Sequence, residues 1–158
     1  MTLADKIIAA ARRYGVPEDL ALRLARQESG IRHFRNGEVI RSSAGALGVM
    51  QLMPATAAEL GVDPYDEDQN IDGGMRYLLR MHQMFGNWNH AVAAYNAGPG
   101  RIQKVLRGEQ RLPNETATYV SAVLGAPFQP VPAQPPAGAS PPFSAGQARR
   151  AARPGRLS

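Results

Sequence analysis

The sequence contains no cysteine, which excludes disulfide staples, thiolate catalysis and cysteine-ligated zinc. Its three histidines, His33, His82 and His90, lack metal-ligand spacing, so no metal is expected, and no motif calls for a cofactor. Apolar runs are broken by Arg, Asp or Gln well before the roughly 18 residues that a membrane-spanning helix needs. The opening Met-Thr-Leu-Ala-Asp lacks the basic segment and long apolar stretch of a standard secretory signal. What remains is 158 residues, 44% hydrophobic and 20% charged, enough for one globular core.

The net charge of +5 divides unevenly along the chain. Residues 1–125 hold 14 Lys+Arg against 13 Asp+Glu, while residues 126–158 hold four Arg and no acid. The first part is therefore nearly neutral. Four arginines in the last 33 residues supply only a weak, salt-sensitive contact, so no specific nucleic-acid partner is expected. That stretch also holds 8 of the 13 prolines, which remove backbone donors and fix φ. It reads as a disordered Pro/Ala/Arg-rich tail over 126–158, behind a folded domain over 1–125 that is expected to be monomeric.

Within residues 1–125 the hydrophobic period is helical. Thr2 and Asp5 resemble a capping box, and Leu3, Ile7, Ile8 and Ala11 form an apolar face that ends before Gly15. Pro17 suits a first helical position, and Leu20, Leu24 and Glu28 follow at i, i+4 and i+8, with Gly30 as the stop. Residues 31–53 lose the period, and Asn36-Gly37 signals a hairpin. Further helices are expected at roughly 54–60, 71–85, 88–96, 100–107 and 114–124, punctuated by glycines. The class is mostly α with a small β-hairpin.

Glu28 carries the most chemistry. An apolar stripe delivers its carboxyl to a helix C-terminus, where burial and the negative end of the helix dipole both disfavour the carboxylate. A raised pKa is what a general acid needs near neutral pH. The alternative is a glutamate paired with Arg32 or Arg35 on a solvated helix end. The glycine-rich run from Gly45 to Pro54 is the second feature: Gly48 permits close backbone approach to a ligand, Met50 offers apolar surface, and Gln51 offers an amide. Structural punctuation before a helix explains the same run. Tyr95 and Asn96 form the third feature, either as a phenol and amide facing a ligand or as a core tyrosine with a capping asparagine. Tyr119 shares a helical face with Thr116 and Val123, and by default is a core residue.

In order and spacing, Glu28-Ser29-Gly30, the run Ser43 to Ala57, Asp68-Gln-Asn-Ile71, Ala94-Tyr-Asn-Ala-Gly-Pro-Gly100 and Tyr119 resemble the catalytic domain of the soluble lytic transglycosylase family, lysozyme-like enzymes of the goose-type fold that cut peptidoglycan. The resemblance covers about residues 4–124. It implies a lysozyme-like α+β fold and makes Glu28 the sole catalytic acid, with Ser29 its hydrogen-bonding neighbour. It also implies that Gly48, Met50 and Gln51 line the substrate, that Tyr95 and Asn96 bind it, and that Tyr119 lies beside the glutamate. The implied reaction cleaves the MurNAc-β-1,4-GlcNAc bond without water and leaves a 1,6-anhydro sugar. This sequence departs from the family's usual pattern in a longer segment between Ser29 and Ser43, expected to reshape the cleft rim, and in Val49 where leucine is frequent.

Glu38, beside Asn36-Gly37, is the obvious second carboxylate for a water-using muramidase, but its place is that of a solvated turn charge. A muramidase and a non-catalytic glycan-binding or virion module are the competing readings. The implied partner is the peptidoglycan glycan strand, and the implied place of action is the cell wall or periplasm. Delivery by a virion, delivery by a secretion or conjugation apparatus, and excision from a larger protein are the three routes considered.

Overall fold

The computed structural model describes residues 1–130; residues 131–158 of the expected tail lie outside the described residues. Helix α1 (Leu3–Tyr14) starts at a capping box, with Thr2 Oγ1 accepting from Asp5 N at 3.0 Å and Asp5 Oδ2 accepting from Thr2 N at 3.1 Å. Helix α2 (Glu18–Ser29) follows, with Pro17 at its N-cap rather than inside its first turn. Strands β1 (Phe34–Arg35) and β2 (Glu38–Val39) pair antiparallel, Phe34 opposite Val39 and Arg35 opposite Glu38. Both Asn36 (φ 53°) and Gly37 (φ 80°) are left-handed, as a two-residue hairpin turn requires.

The remaining helices are α3 (Pro54–Leu60), α4 (Glu67–Phe85), α5 (Trp88–Ala97), α6 (Pro99–Leu106) and α7 (Asn114–Leu124). Helix α4 begins one turn earlier than the hydrophobic period suggests. Its first turn is polar and set by a cap, with the Asp66 carboxylate accepting from Gln69 N at 2.9 Å. None of the helices among the described residues is long and apolar enough to cross a membrane.

Helix α5 is the centre of the molecule. Ala91, Val92, Ala93 and Ala94 are fully buried, and α5 packs against α4, α6 and α7 while α2 bridges α1 and α7. The alanines let the neighbouring helices approach closely, and burial around the whole helix replaces the usual amphipathic pattern. Leu20, Leu24, Met75, Leu78 and Val123 complete the same core.

The body continues past Gly125. The Asn89 side chain holds the segment that follows Gly125 through both of its amide atoms, Nδ2 donating to Pro127 O at 2.9 Å and Oδ1 accepting from Gln129 N at 2.8 Å. His90 Nε2 donates to Gln129 O at 2.7 Å, and Phe128 packs against the core. Residues 127–129, placed in the tail by composition, are therefore docked on the start of α5.

Candidate active site

The stripe that buries Leu20 and Leu24 carries Glu28 into the space between α2 and α7. There Tyr119 Oη donates to Glu28 Oε2 at 2.6 Å. No ion pair to Glu28 is formed among the described residues, so the pairing with Arg32 or Arg35 does not occur. Burial among protein atoms raises the carboxyl pKa to about 7; the Tyr119 hydroxyl works against this, and the negative charge of Glu115 adds to it. Both protonation states of Glu28 are thus populated near neutrality, as a group that first gives and then takes a proton requires.

The glycine-rich run forms a tight loop whose ends are pinned by mutual hydrogen bonds between Leu47 and Leu52, 2.9 Å each way. Four side chains hold the loop from four directions. Ser29 Oγ donates to Val49 O at 2.8 Å. His33 Nδ1 accepts from Val49 N at 3.1 Å, which places the ring proton on Nε2, 2.8 Å from Tyr65 O. Asn70, fully buried, accepts from Met50 N at 2.8 Å and donates to Leu47 O and Pro64 O at 2.8 and 2.9 Å. Tyr95 Oη donates to Met50 O at 2.6 Å.

These bonds give several of the residues singled out in the sequence a place in the loop's framework. Ser29 is buried and clips α2 to the loop, its hydroxyl donating to the loop backbone. Gly48 (φ 76°) is required by packing, because a Cβ there would collide with the Asn70 amide and the His33 ring. The Met50 side chain has no exposed surface and fills the gap above Gly74 in α4, so it does not line a cleft. Tyr95 reaches the loop backbone, while Tyr119 is both a core residue and the partner of the carboxyl.

Two adjoining hollows remain open. One, of about 450 Å³, is lined by Glu28, Tyr119, Asn96, Gln27, Asn114 and Glu115. The other, of about 280 Å³, is lined by Gln51, Tyr95, Asn96, Thr56 and Tyr77. Asn96 belongs to both, so the structure brings Glu28, Gln51, Asn96 and the two tyrosines to one continuous surface. Asn96 is fixed there by Thr116 Oγ1, which donates to its Oδ1 at 2.8 Å. Gln51, a non-glycine residue at φ 53°, donates its side-chain amide to Gly48 O at 2.9 Å. A residue held in that sparsely populated backbone region often marks a functional site.

Sequence reasoning overlooks Glu115. It lies one turn before Tyr119 and shares the Glu28 hollow, a spacing of i, i+4 that placed both on one helical face. Glu38 lines a different hollow, with Arg41 and Tyr65.

Comparison with known proteins adds a second line of observation. The family model described as the transglycosylase SLT domain matches residues 5–117. The soluble lytic murein transglycosylase of Escherichia coli (strain K12) is 37% identical over 132 residues, 69% of this chain and 20% of that protein. The transglycosylase of Enterobacteria phage PRD1 is 38% identical over 95 residues, 60% of this chain and 34% of that one. Among solved structures, an inactive mutant of lytic transglycosylase Slt from Pseudomonas aeruginosa superposes with a TM-score of 0.63 at 32% identity, covering 76% of this chain and 22% of that one. This chain thus spans about a fifth of the length of the Escherichia coli and Pseudomonas aeruginosa proteins.

Proposed function

Since the chain belongs to the transglycosylase SLT domain family, we propose that it is a peptidoglycan lytic transglycosylase with Glu28 as its single acid and base. The observation that carries this reading is the Glu28 carboxyl, turned into an open hollow, held by Tyr119 and raised to a pKa of about 7. Protonated Glu28 gives its proton to the oxygen bridging MurNAc and GlcNAc, and the bond from C1 to that oxygen breaks. The resulting carboxylate takes the proton of the muramic acid C6 hydroxyl, whose oxygen bonds to C1. One bond is lost, one is gained, and no water enters.

Gln51 and Asn96 are proposed to orient the sugar's 2-acetamido group, one from each hollow. Tyr119 keeps the carboxyl aimed, and the loop held by Ser29, His33, Asn70 and Tyr95 keeps Gln51 in place. Murein is the proposed substrate and the proposed place of action; the relatives include proteins named soluble, membrane-bound and phage transglycosylases.

A hydrolytic muramidase is the second reading, favoured by the presence of Glu115 in the Glu28 hollow. Glu115 is exposed, with Asn96 Nδ2 3.5 Å away, and an exposed carboxylate without a firm donor is poorly fixed for activating a water. The proposed role of Glu28 is tested by Glu28→Gln, which keeps the side chain's shape and removes its transferable proton. Lysis of sacculi should fall at least about 10²-fold while sacculus binding persists. Retention of more than about a tenth of the activity contradicts the assignment.

A further inference from the structure

The hairpin segment that departs from the family pattern builds a hollow of its own, about 540 Å³, between β2 and Tyr65. We propose that this hollow binds the stem peptide of the glycan substrate, by taking an amino-acid side chain that ends in both an ammonium and a carboxylate. The proposal rests on the transglycosylase reading, because it is the peptidoglycan glycan that brings a peptide to this face.

The chemistry of the walls selects such a ligand. Leu47, buried, and Val39, half-buried, form an apolar floor, and the Tyr65 ring stands half exposed beside it. Glu38 and Arg41 rise from the rim with opposite charges. Among the described residues, Glu38 makes no ion pair with Arg41, nor with Arg35 opposite it in the hairpin register. Instead, Arg41 Nη2 donates to Tyr65 Oη at 3.2 Å, which steadies the guanidinium without neutralising it. Two unpaired charges of opposite sign across an apolar floor match a short chain carrying the complementary charges, with Arg41 taking the carboxylate and Glu38 the ammonium.

The hollow is also firmly built. His33, almost fully buried, donates to Tyr65 O, and its own carbonyl accepts from Ile40 N at 2.9 Å, so one residue braces both walls. The Tyr65 backbone is further held by the Asp63 carboxylate, which accepts from Tyr65 N at 3.0 Å. Position completes the argument. Leu47 lines this hollow, and its paired neighbour Leu52 lines the one formed by Gln51, Tyr95 and Asn96. Paired backbones lie about 5 Å apart, and an extended peptide advances about 3.4 Å per residue. On this proposal the third residue of a peptide hanging from a sugar in the cleft is the one that meets Arg41.

The test is an ¹⁵N–¹H NMR titration of the full chain with the tripeptide of alanine, γ-linked glutamate and meso-diaminopimelate. Saturable shifts are expected at the amides of Arg41 and Tyr65. Arg41→Gln and Glu38→Gln, both at exposed side chains, should each weaken binding about tenfold with the rest of the spectrum unchanged. A tripeptide with lysine in place of diaminopimelate lacks the carboxylate; it should bind wild type about tenfold more weakly and bind the Arg41→Gln variant no worse than the parent peptide does. No saturable shift, variants that bind like wild type, or free meso-diaminopimelate binding as tightly as the tripeptide would each overturn the proposal. No glycosidic bond is present in the assay, so the two readings fail separately. A chain that cleaves glycan but ignores the peptide overturns the pocket alone, whereas one that binds the peptide but forms no anhydro ends keeps the pocket and overturns the transglycosylase reading.

Discussion

Tyr119 donates its hydroxyl proton to Glu28 at 2.6 Å, and Glu115, one turn earlier on the same helix, lines the same hollow with a negative charge. Helix α7 thereby acts on the carboxyl in two opposed ways. The hydroxyl favours the carboxylate and lowers the pKa, whereas Glu115 disfavours the carboxylate and raises it, both superimposed on the larger effect of burial.

Opposite shifts in the pH–rate profile follow. An acid that must be protonated loses activity as pH rises through its pKa, so the alkaline limb reports Glu28. Tyr119→Phe removes the donor and should move that limb to higher pH; Glu115→Gln removes the like charge and should move it to lower pH. Turbidity clearance measured across pH 5 to 9 distinguishes these, and shifts of the same sign in both variants contradict the arrangement.

Stability should also depend on Glu28. Its carboxyl titrates near 7 in the folded chain against 4.5 in the unfolded one, so the unfolded state loses the proton first. Between these values the folded state binds more protons, and stability falls as pH rises through the window. The loss above pH 7 is at most about 3 kcal/mol, from a difference of about 2.5 pKa units. Glu28→Gln should therefore melt at a higher temperature than wild type at pH 8 and near the wild-type temperature at pH 4. Equal melting temperatures at both pH values would show that the carboxyl is not held at a raised pKa.

The docked residues 127–129 lead to a prediction about where the chain can be cut. A chain ending at Pro130 keeps the Asn89 and His90 bonds and the Phe128 contact, and one ending at Gly125 loses all of them. The shorter chain should be less stable by about 1–3 kcal/mol, the range for partial burial of a phenylalanine with its accompanying hydrogen bonds. Urea unfolding of the two truncations measures this, and coincident midpoints would show that the segment contributes nothing to the fold.

How much of this was legible in the sequence follows from the range of each signal. The stripe Leu20, Leu24, Glu28 and the Asn36-Gly37 turn are local patterns, and the helix and hairpin appear where those patterns place them. The start of α4 is also local, but it is written in a cap at Asp66 and not in hydrophobic period. Gly48 and Met50 differ in kind. The sequence marks them as unusual, but the reason lies in His33, Asn70 and Gly74, whose approach only the folded chain brings about. The contacts of residues 127–129 are illegible in composition for the same reason, since proline content says nothing of the amide at Asn89 that pairs with them. Glu115 was within reach, one turn from Tyr119, but a glutamate in the first turn of a helix reads first as a favourable dipole partner.

The central claim is that the glycosidic bond is broken by the sugar's own C6 hydroxyl with Glu28 handling both protons. An intramolecular hydroxyl held near C1 gains effective molarity that a bulk water lacks, and a second fixed carboxylate becomes unnecessary. Digestion of purified sacculi in H₂¹⁸O, followed by mass spectrometry of the released fragments, measures this directly. The account predicts 1,6-anhydromuramic ends that carry no ¹⁸O and are lighter than reducing ends by one water. Reducing ends labelled with ¹⁸O as the main primary product would contradict it and make Glu115, the other carboxylate in the hollow, the base of a hydrolytic reaction.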